Sequence, residues 1–408
     1  MLEKYLLYLL IFLIPVQLGR HFYFDFAAIA GIYSDYLLPT LYLTDIIIVF
    51  LIVLDIKNTK PKLTRSTILF FSYLVFTTIF IAVNKWAALY KLIKIFEFYY
   101  LFKIIVKSKI QLKGIVTAYS LAIIYSSLLS ILQFIQQKSI GGLWWFIGER
   151  TFYASTPGIA QAVFMDNLIL RPYASFAHPN LFGGFLAIGL PLVFILLIKQ
   201  SKVTKQKWIY IIAFILGTIA LVLTFSRAAW LIFFIGLVVT GFLYFKKIKS
   251  GVSKNYNWLF LIFIFLFVIS ILFPLLTTTR KGSLYERKTL IEASVKNIIN
   301  NSIFGTGLNN SLIQQYSIMP KNLGLFIAQP VHNIYLLTLV ELGLCGFLFL
   351  LKLMKNLFNG IRGENLKQNV PFLMMLVLGF FDHYLFTLQQ GILIFVLFAS
   401  LGTKKTNL

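Results

Sequence analysis

Apolar stretches long enough to cross roughly 30 Å of hydrocarbon recur along this chain, and no soluble core could absorb so many of them. They lie near residues 5–19, 37–54, 66–83, 87–106, 114–136, 178–198, 208–225, 228–245, 258–276 and 331–351. Two shorter runs near 371–386 and 388–402 bring the expected number of spans to about twelve. With 59% hydrophobic and 12% charged residues and a mean hydropathy of +0.85, a water-soluble fold is excluded. The expected fold class is all-α: a polytopic membrane protein with a large extracytoplasmic loop carrying amphipathic helices. Lys4 ahead of an apolar run resembles a signal peptide, but no small-residue cleavage site precedes Arg20, so a retained first helix is expected.

The positive charge needs a partner. A net +24 would suit nucleic acid, yet the basic residues are spread over short gaps between apolar runs, and no nucleic-acid partner is expected. Alternate gaps hold Lys57, Lys60, Lys62 and Arg65; Lys107, Lys109 and Lys113; Lys199, Lys202, Lys205 and Lys207; Lys246, Lys247, Lys249 and Lys254; and Lys352, Lys355, Arg362 and Lys367. The positive-inside rule turns these gaps toward the cytoplasm. The long segments 137–177 and 277–330 then fall on the opposite side. The chain divides into N-terminal spans (1–136), a first outer loop (137–177), central spans (178–276), a large outer loop (277–330) and C-terminal spans (331–408). The lone Cys345 excludes an intrachain disulfide.

Both outer loops are long enough to carry function. The first has Trp144, Trp145, Phe152 and Tyr153, suited to an interfacial belt or to stacking on a sugar ring. In the second, Leu284, Leu290, Ile291, Val295, Ile298 and Ile299 follow helical spacing, so an amphipathic helix is expected over 284–301, ahead of a Gly305-Thr306-Gly307 turn.

Ionisable groups beside membrane spans are expensive and are functional candidates for that reason. Arg227 interrupts two apolar runs; an interfacial anchor beside Trp230 is its plain alternative. Arg287 opens the amphipathic helix, with Arg280, Lys281 and Lys288 near it; solvated charge explains those three, whereas Arg287 suits an anion. Paired guanidinium groups fit a pyrophosphate, because each binds phosphate oxygens bidentately and stays charged. In Gln329-Pro330-Val331-His332-Asn333, the proline suggests a helix start with His332 and Asn333 in its first turn, where the helix dipole disfavours imidazolium. His332 should then be neutral and able to take a proton; a simple cap is the alternative. His178-Pro179-Asn180 repeats this arrangement, with capping as the default role and site-lining the second. Asp382 and His383 occupy a turn where the carboxylate could pair with an arginine or orient a histidine. Asp45, Lys91, Lys94, Glu97 and Glu341 lie within spans and read as structural, Lys94 and Glu97 being close enough to pair.

No two of the thirteen acidic residues lie within two positions of each other, and His and Cys show no ligand spacing, so neither a metal nor a cofactor is expected. P-loop and nucleophile-elbow patterns are missing too.

Together these residues resemble the O-antigen ligase and O-antigen polymerase superfamily. The resemblance covers most of 170–402. It rests on Phe176-Ala177-His178-Pro179-Asn180 with Gly183-Gly184-Phe185-Leu186, and on Ser226-Arg227-Ala228-Ala229-Trp230. Arg287 ahead of Leu290-Ile291-Glu292-Ala293 and Phe304-Gly305-Thr306-Gly307 continue it. His332-Asn333 followed after nine residues by Gly343 and then Gly346, and Asp382-His383-Tyr384 through Gln390-Gly391, complete it. One departure is Ile291, where the superfamily often has tryptophan. The resemblance implies an enzyme of the bacterial cytoplasmic (inner) membrane with an extracytoplasmic site. Its substrates would be an undecaprenyl-pyrophosphate-linked glycan donor and a glycan or glycolipid acceptor such as lipid A-core, among membrane lipids. It also implies catalysis by Arg227, Arg287 and His332, with His178, Asn180, Asn333, Asp382 and His383 binding substrate. Ligase, polymerase and protein O-oligosaccharyltransferase share this chemistry, the ligase pattern being nearest. A polysaccharide transporter or flippase is the reading from another class, but its site would lie near the midplane.

Overall fold

The computed structural model describes residues 1–58, 64–200, 202, 204–245, 283–318, 329–360 and 366–403. Helices follow the apolar runs: α1 (Leu2–Phe12), α2 (Leu43–Asn58), α3 (Arg65–Phe76), α4 (Lys85–Lys107) and α5 (Leu112–Gln136) in the first third. Next come α6 (Pro179–Lys199), α7 (Lys205–Leu223) and α8 (Arg227–Phe245). Then follow α9 (Ser283–Asn300), α10 (Ser311–Ile318), α11 (Ile334–Gly360), α12 (Leu366–Leu378), the single turn α13 (Tyr384–Thr387) and α14 (Gln389–Thr403).

Among the described residues, four helices are long and apolar enough to cross a membrane: α5, α6, α7 and Ile334–Phe358 of α11. Stretches of α3, α8, α12 and α14 are apolar but shorter. Helix α4 has the length, yet Lys91, Lys94, Glu97 and Lys103 interrupt its hydropathy. The span expected at 258–276, together with Arg280 and Lys281, lies outside the described residues.

The fold is not purely helical. Among the described residues three antiparallel strand pairs occupy the connections: β1 (Gly19–His21) with β4 (Thr40–Tyr42), β2 (Ala28–Ile29) with β3 (Ile32–Tyr33), and β5 (Gln161–Phe164) with β6 (Asn167–Leu170). The β2–β3 and β5–β6 turns have two residues each, Ala30-Gly31 and Met165-Asp166, all at positive φ, the geometry that matches strand twist in tight hairpins. In the segment 137–177 Phe152 is buried with Leu170 and Tyr173, while Trp145 stays exposed. Glu149 anchors that loop by accepting from Gln133 Nε2 and the amides of Ile140 and Gly141, at 2.7–2.8 Å.

At the centre stands α6, buried almost throughout its first four turns and packed against α7, α8 and α12. Close approach depends on its glycines: a Cβ on Gly184 would lie 2.0 Å from the Tyr384 hydroxyl. Helix α9 forms where expected, but its inward face differs. Leu290, Ile291, Ser294 and Asn297 are buried, against Val331, Leu336 and Leu337 in the apolar part, whereas Ile299 is 72% exposed.

Helix α11 breaks at Gly343 (φ +60°). The break sets free the carbonyls of Val340 and Glu341, which accept from the amides of Thr306 (2.8 Å) and Gly307 (2.9 Å); in return the Leu344 amide reaches Ser302 O at 2.9 Å. The Gly305-Thr306-Gly307 turn can lie this close only because position 305 has no side chain, since a Cβ on Gly305 would meet the Glu341 backbone at 2.5 Å.

Deep in the bundle Lys94 bonds the Asp45 carboxylate and lies 3.5 Å from Glu97, so the expected helical pair exists with Asp45 as the nearer partner. Gln389 bonds Asp45 as well, and its Nε2 donates to Thr44 at 3.0 Å, joining α2, α4 and α14. Removing one member of a buried ionic group strands the others, at about 3–5 kcal/mol. Lys94→Met should therefore lower the thermal unfolding midpoint of the purified protein markedly; an unchanged midpoint would show that the cluster contributes nothing to stability.

Candidate functional site

The segment Val331-His332-Asn333 meets the turn Phe381-Asp382-His383 at one end of the bundle. Its local cause is a cap. Asn333 Oδ1 accepts from the amides of Tyr335 (2.9 Å) and Leu336 (3.0 Å), so α11 starts at Ile334. The expected placement of His332 and Asn333 inside the first turn is corrected accordingly: both precede the helix, and Pro330 lies four residues upstream of it. Asn333 is 3% exposed and its carbonyl oxygen holds the helix start, a cap rather than a ligand contact.

His332 is half-buried as a residue, but its Nδ1 is fully enclosed and has no hydrogen-bond partner among the described residues. Its ring lies 5.1 Å from that of His383, edge to face. His383 Nδ1 pairs with Thr387 Oγ1 at 2.8 Å, which fixes the ring. Burial drives the His332 pKa well below its ordinary value, and Arg287, His383 and His178 add to the effect. The neutral state expected from a helix dipole is thus reached chiefly by desolvation.

Arg287 reaches this corner from the first turns of α9 and donates to the carbonyl of Phe381 at 2.9 Å. Burial works against its charge, and Asp382 and Glu286 work in its favour. Asp382 accepts from the His383 amide (2.8 Å) and from Asn180 Nδ2 (3.2 Å), so it organises the turn and ties it to α6. His178 is the cap of α6, its Nδ1 accepting from the Asn180 amide at 3.1 Å; burial lowers its pKa to about 4, partly opposed by Asp382. Arg227 opens α8 after the positive-φ residue Phe225 and is exposed. Trp230 does not engage it: the indole donates to Leu221 O at 2.8 Å. The charge of Arg227 disfavours protonation of both Arg171 and Arg287.

Arg171 is the residue that sequence reasoning missed. Its Nε donates to Thr224 O at 2.7 Å, just ahead of Arg227, and its Nη2 to Asn180 Oδ1 at 2.6 Å. One guanidinium therefore braces the approach to α8 and the start of α6. The only local hint was an arginine-proline pair five residues before Phe176. Gln390 completes the support: its Nε2 donates to Pro15 O (2.6 Å) and Ser175 O (3.1 Å), and its Oε1 accepts from Ala177.

The fold also assembles a ligand set that no linear spacing announced. Donor atoms of His332, Asp382 and His383 lie within 4.8 Å of one another, and both neutral imidazoles and the carboxylate are competent metal ligands. Against a cation stand the guanidinium of Arg287 and the existing commitments of His383 Nδ1 and both Asp382 oxygens. The corner is better suited to an anion beside a neutral base.

Residues 211–351 match the family model described as O-antigen ligase. That stretch holds Arg227, Arg287 and His332; Arg171, His178, Asn180, Asp382 and His383 lie outside it. No curated protein matches the chain.

Burial lowers His383 to about 3 as well, so three histidines bind protons less readily folded than unfolded. Stability should be complete above the ordinary imidazole value of 6.5 and should be lost as pH falls below it. The thermal midpoint should begin to drop near that value rather than only in the carboxylate range near about 4. A midpoint that stays level down to that range would contradict the burial of these rings in neutral form.

Proposed function

We propose that this chain, whose residues 211–351 match the family model described as O-antigen ligase, belongs to the O-antigen ligase and polymerase superfamily and transfers a glycan from undecaprenyl pyrophosphate to an acceptor hydroxyl. The observation that carries the reading is the neutral, half-buried imidazole of His332 lying beside the buried guanidinium of Arg287.

In the proposed step the acceptor oxygen attacks the anomeric carbon as its proton passes to His332, and the bond from that carbon to the pyrophosphate oxygen breaks. Attack opposite the leaving group inverts the anomeric centre. The leaving pyrophosphate gathers negative charge, which Arg287 and Arg227 stabilise where a divalent ion does so elsewhere. Arg171 and Asn180 hold α6 and the approach to α8 in register, while Asp382 and His383 fix the turn facing His332. Because pyrophosphate leaves readily, alignment of the two substrates contributes a large share of the rate. The finer reading, an O-antigen ligase acting at the extracytoplasmic face of the inner membrane on lipid A-core or a similar acceptor, follows the His-Asn-x9-Gly-x2-Gly pattern. Product mass analysis with alternative acceptors separates it from polymerisation.

His332→Ala and Arg287→Ala should each abolish transfer in membranes at normal protein level and donor supply; full transfer by both would rule out this mechanism. Transfer by the wild-type protein should also survive EDTA. Loss on chelation that magnesium or manganese restores would instead assign the His332, Asp382 and His383 cluster to a metal.

A further inference from the structure

Beside the reaction corner the structure has a second concave feature, a cleft of about 590 Å³ whose walls include Phe26, Ile29, Lys85, Trp86, Ile313 and Tyr316. Three separate segments build it: the turn and hairpin around β2, the mouth of α4, and α10. None of them belongs to a helix long and apolar enough to cross a membrane. Hydrogen bonds fasten the walls together. Asn84 Nδ2 donates to Phe26 O at 2.6 Å, the Asn84 amide donates to Asn310 Oδ1 at 2.7 Å, and Asn310 Nδ2 returns a bond to Asn84 O at 3.2 Å. The concavity is therefore built before any ligand arrives.

Its position follows from the packing. Phe26, Ile29 and Ile313 share one apolar cluster with Tyr36, and the Tyr36 ring lies 5.3 Å from that of His383. Asn309, next to Asn310, donates to Tyr36 O at 3.1 Å. The contacts from the cleft to His332 thus run through this cluster, Tyr36 and His383. A substrate reacting there and longer than one sugar would run on toward it.

The chemistry of the walls selects the occupant. Trp86 is 65% exposed and Tyr316 41%, so two aromatic side chains are available beside Lys85 and Asn84 in the wall. A pyranose ring has an apolar C–H face and a rim of hydroxyls, which such a mixed surface matches. An acyl chain would leave the polar part of the wall unpartnered. We propose that the cleft is a carbohydrate subsite, with Trp86 and Tyr316 as stacking platforms for sugar residues of the lipid-linked glycan beyond the one that reacts. This inference rests on the glycan-transfer reading of the neighbouring corner.

The test uses the full chain in nanodiscs. The probe is the reducing oligosaccharide released by mild acid from the lipid-linked glycan pool of the source cells, which carries neither pyrophosphate nor prenyl chain. The wild-type protein should bind it by calorimetry, and Trp86→Ala and Tyr316→Ala should each weaken binding roughly tenfold, a difference of about 1.4 kcal/mol. In transfer assays both variants should lose the advantage that a long-chain donor holds over a donor bearing a single sugar. The subsite is refuted if the wild type does not bind the oligosaccharide, or if the variants match it in both binding and chain-length response. It is refuted equally if the variants bind normally but leave the membrane fraction, the mark of an interfacial anchor. Oligosaccharide binding that is lost in Trp86→Ala, in a protein that forms no glycosidic bond, would support the subsite while removing the glycan-transfer reading.

Discussion

A helix that breaks inside an apolar bundle must find donors for the carbonyls it exposes, because lipid offers none. In α11 the break falls at Gly343, and the donors are the amides of Thr306 and Gly307. That exchange does more than satisfy two acceptors. The turn carrying those amides closes the connection after α9, so docking it on α11 fixes how far α9 can slide along its partner. Arg287 rides on the first and His332 sits at the mouth of the second. Their meeting at Phe381 therefore depends on a contact some way along both helices from the site itself.

The second support is a polar net on the opposite side. Gln133 holds Tyr173 and Ala174, Gln390 holds Ser175 and Ala177, and Arg171 joins Thr224 to Asn180. Each of these groups is bonded to backbone in a connection that would otherwise bury unpaired amides and carbonyls. The net result is a firm platform from which Asn180 reaches Asp382. Bracing from both sides holds the turn Phe381-Asp382-His383 in place opposite His332.

What could be read from residue order was whatever depends on local pattern. Apolar runs announced the helices, helical spacing announced α9, and charges stranded among apolar residues pointed to Arg227, Arg287 and His332. Pattern failed where long-range partners decide. Pro330 looked like a helix start, but Asn333 captured the amides and moved the start to Ile334. Leu284, Val295 and Ile299 looked like core positions, yet α9 turns Ser294 and Asn297 inward. Arg171 resembled any loop arginine until its two acceptors, one 9 and the other 53 positions away, came into contact with it. The hairpins were hidden because Met165 and Asp166 are not the residues that advertise two consecutive positive-φ positions.

The same geometry explains why one corner can look like a metal centre and still favour an anion. Two imidazoles and a carboxylate within 4.8 Å meet the compositional requirement for a divalent ion. A cation's affinity depends equally on the charges behind its ligands, and here Arg287 stands at 2.9 Å from the carbonyl next to Asp382. Asp382 and Glu286 favour its charge while that of Arg227 opposes it, so positive charge is crowded at this corner and its field would repel an added cation. The same field pushes protons off the histidines, on top of the desolvation that already does so. The arginine field thus adds to desolvation in keeping the imidazoles proton-free, and an arginine removed from this corner would leave desolvation to do so with less help.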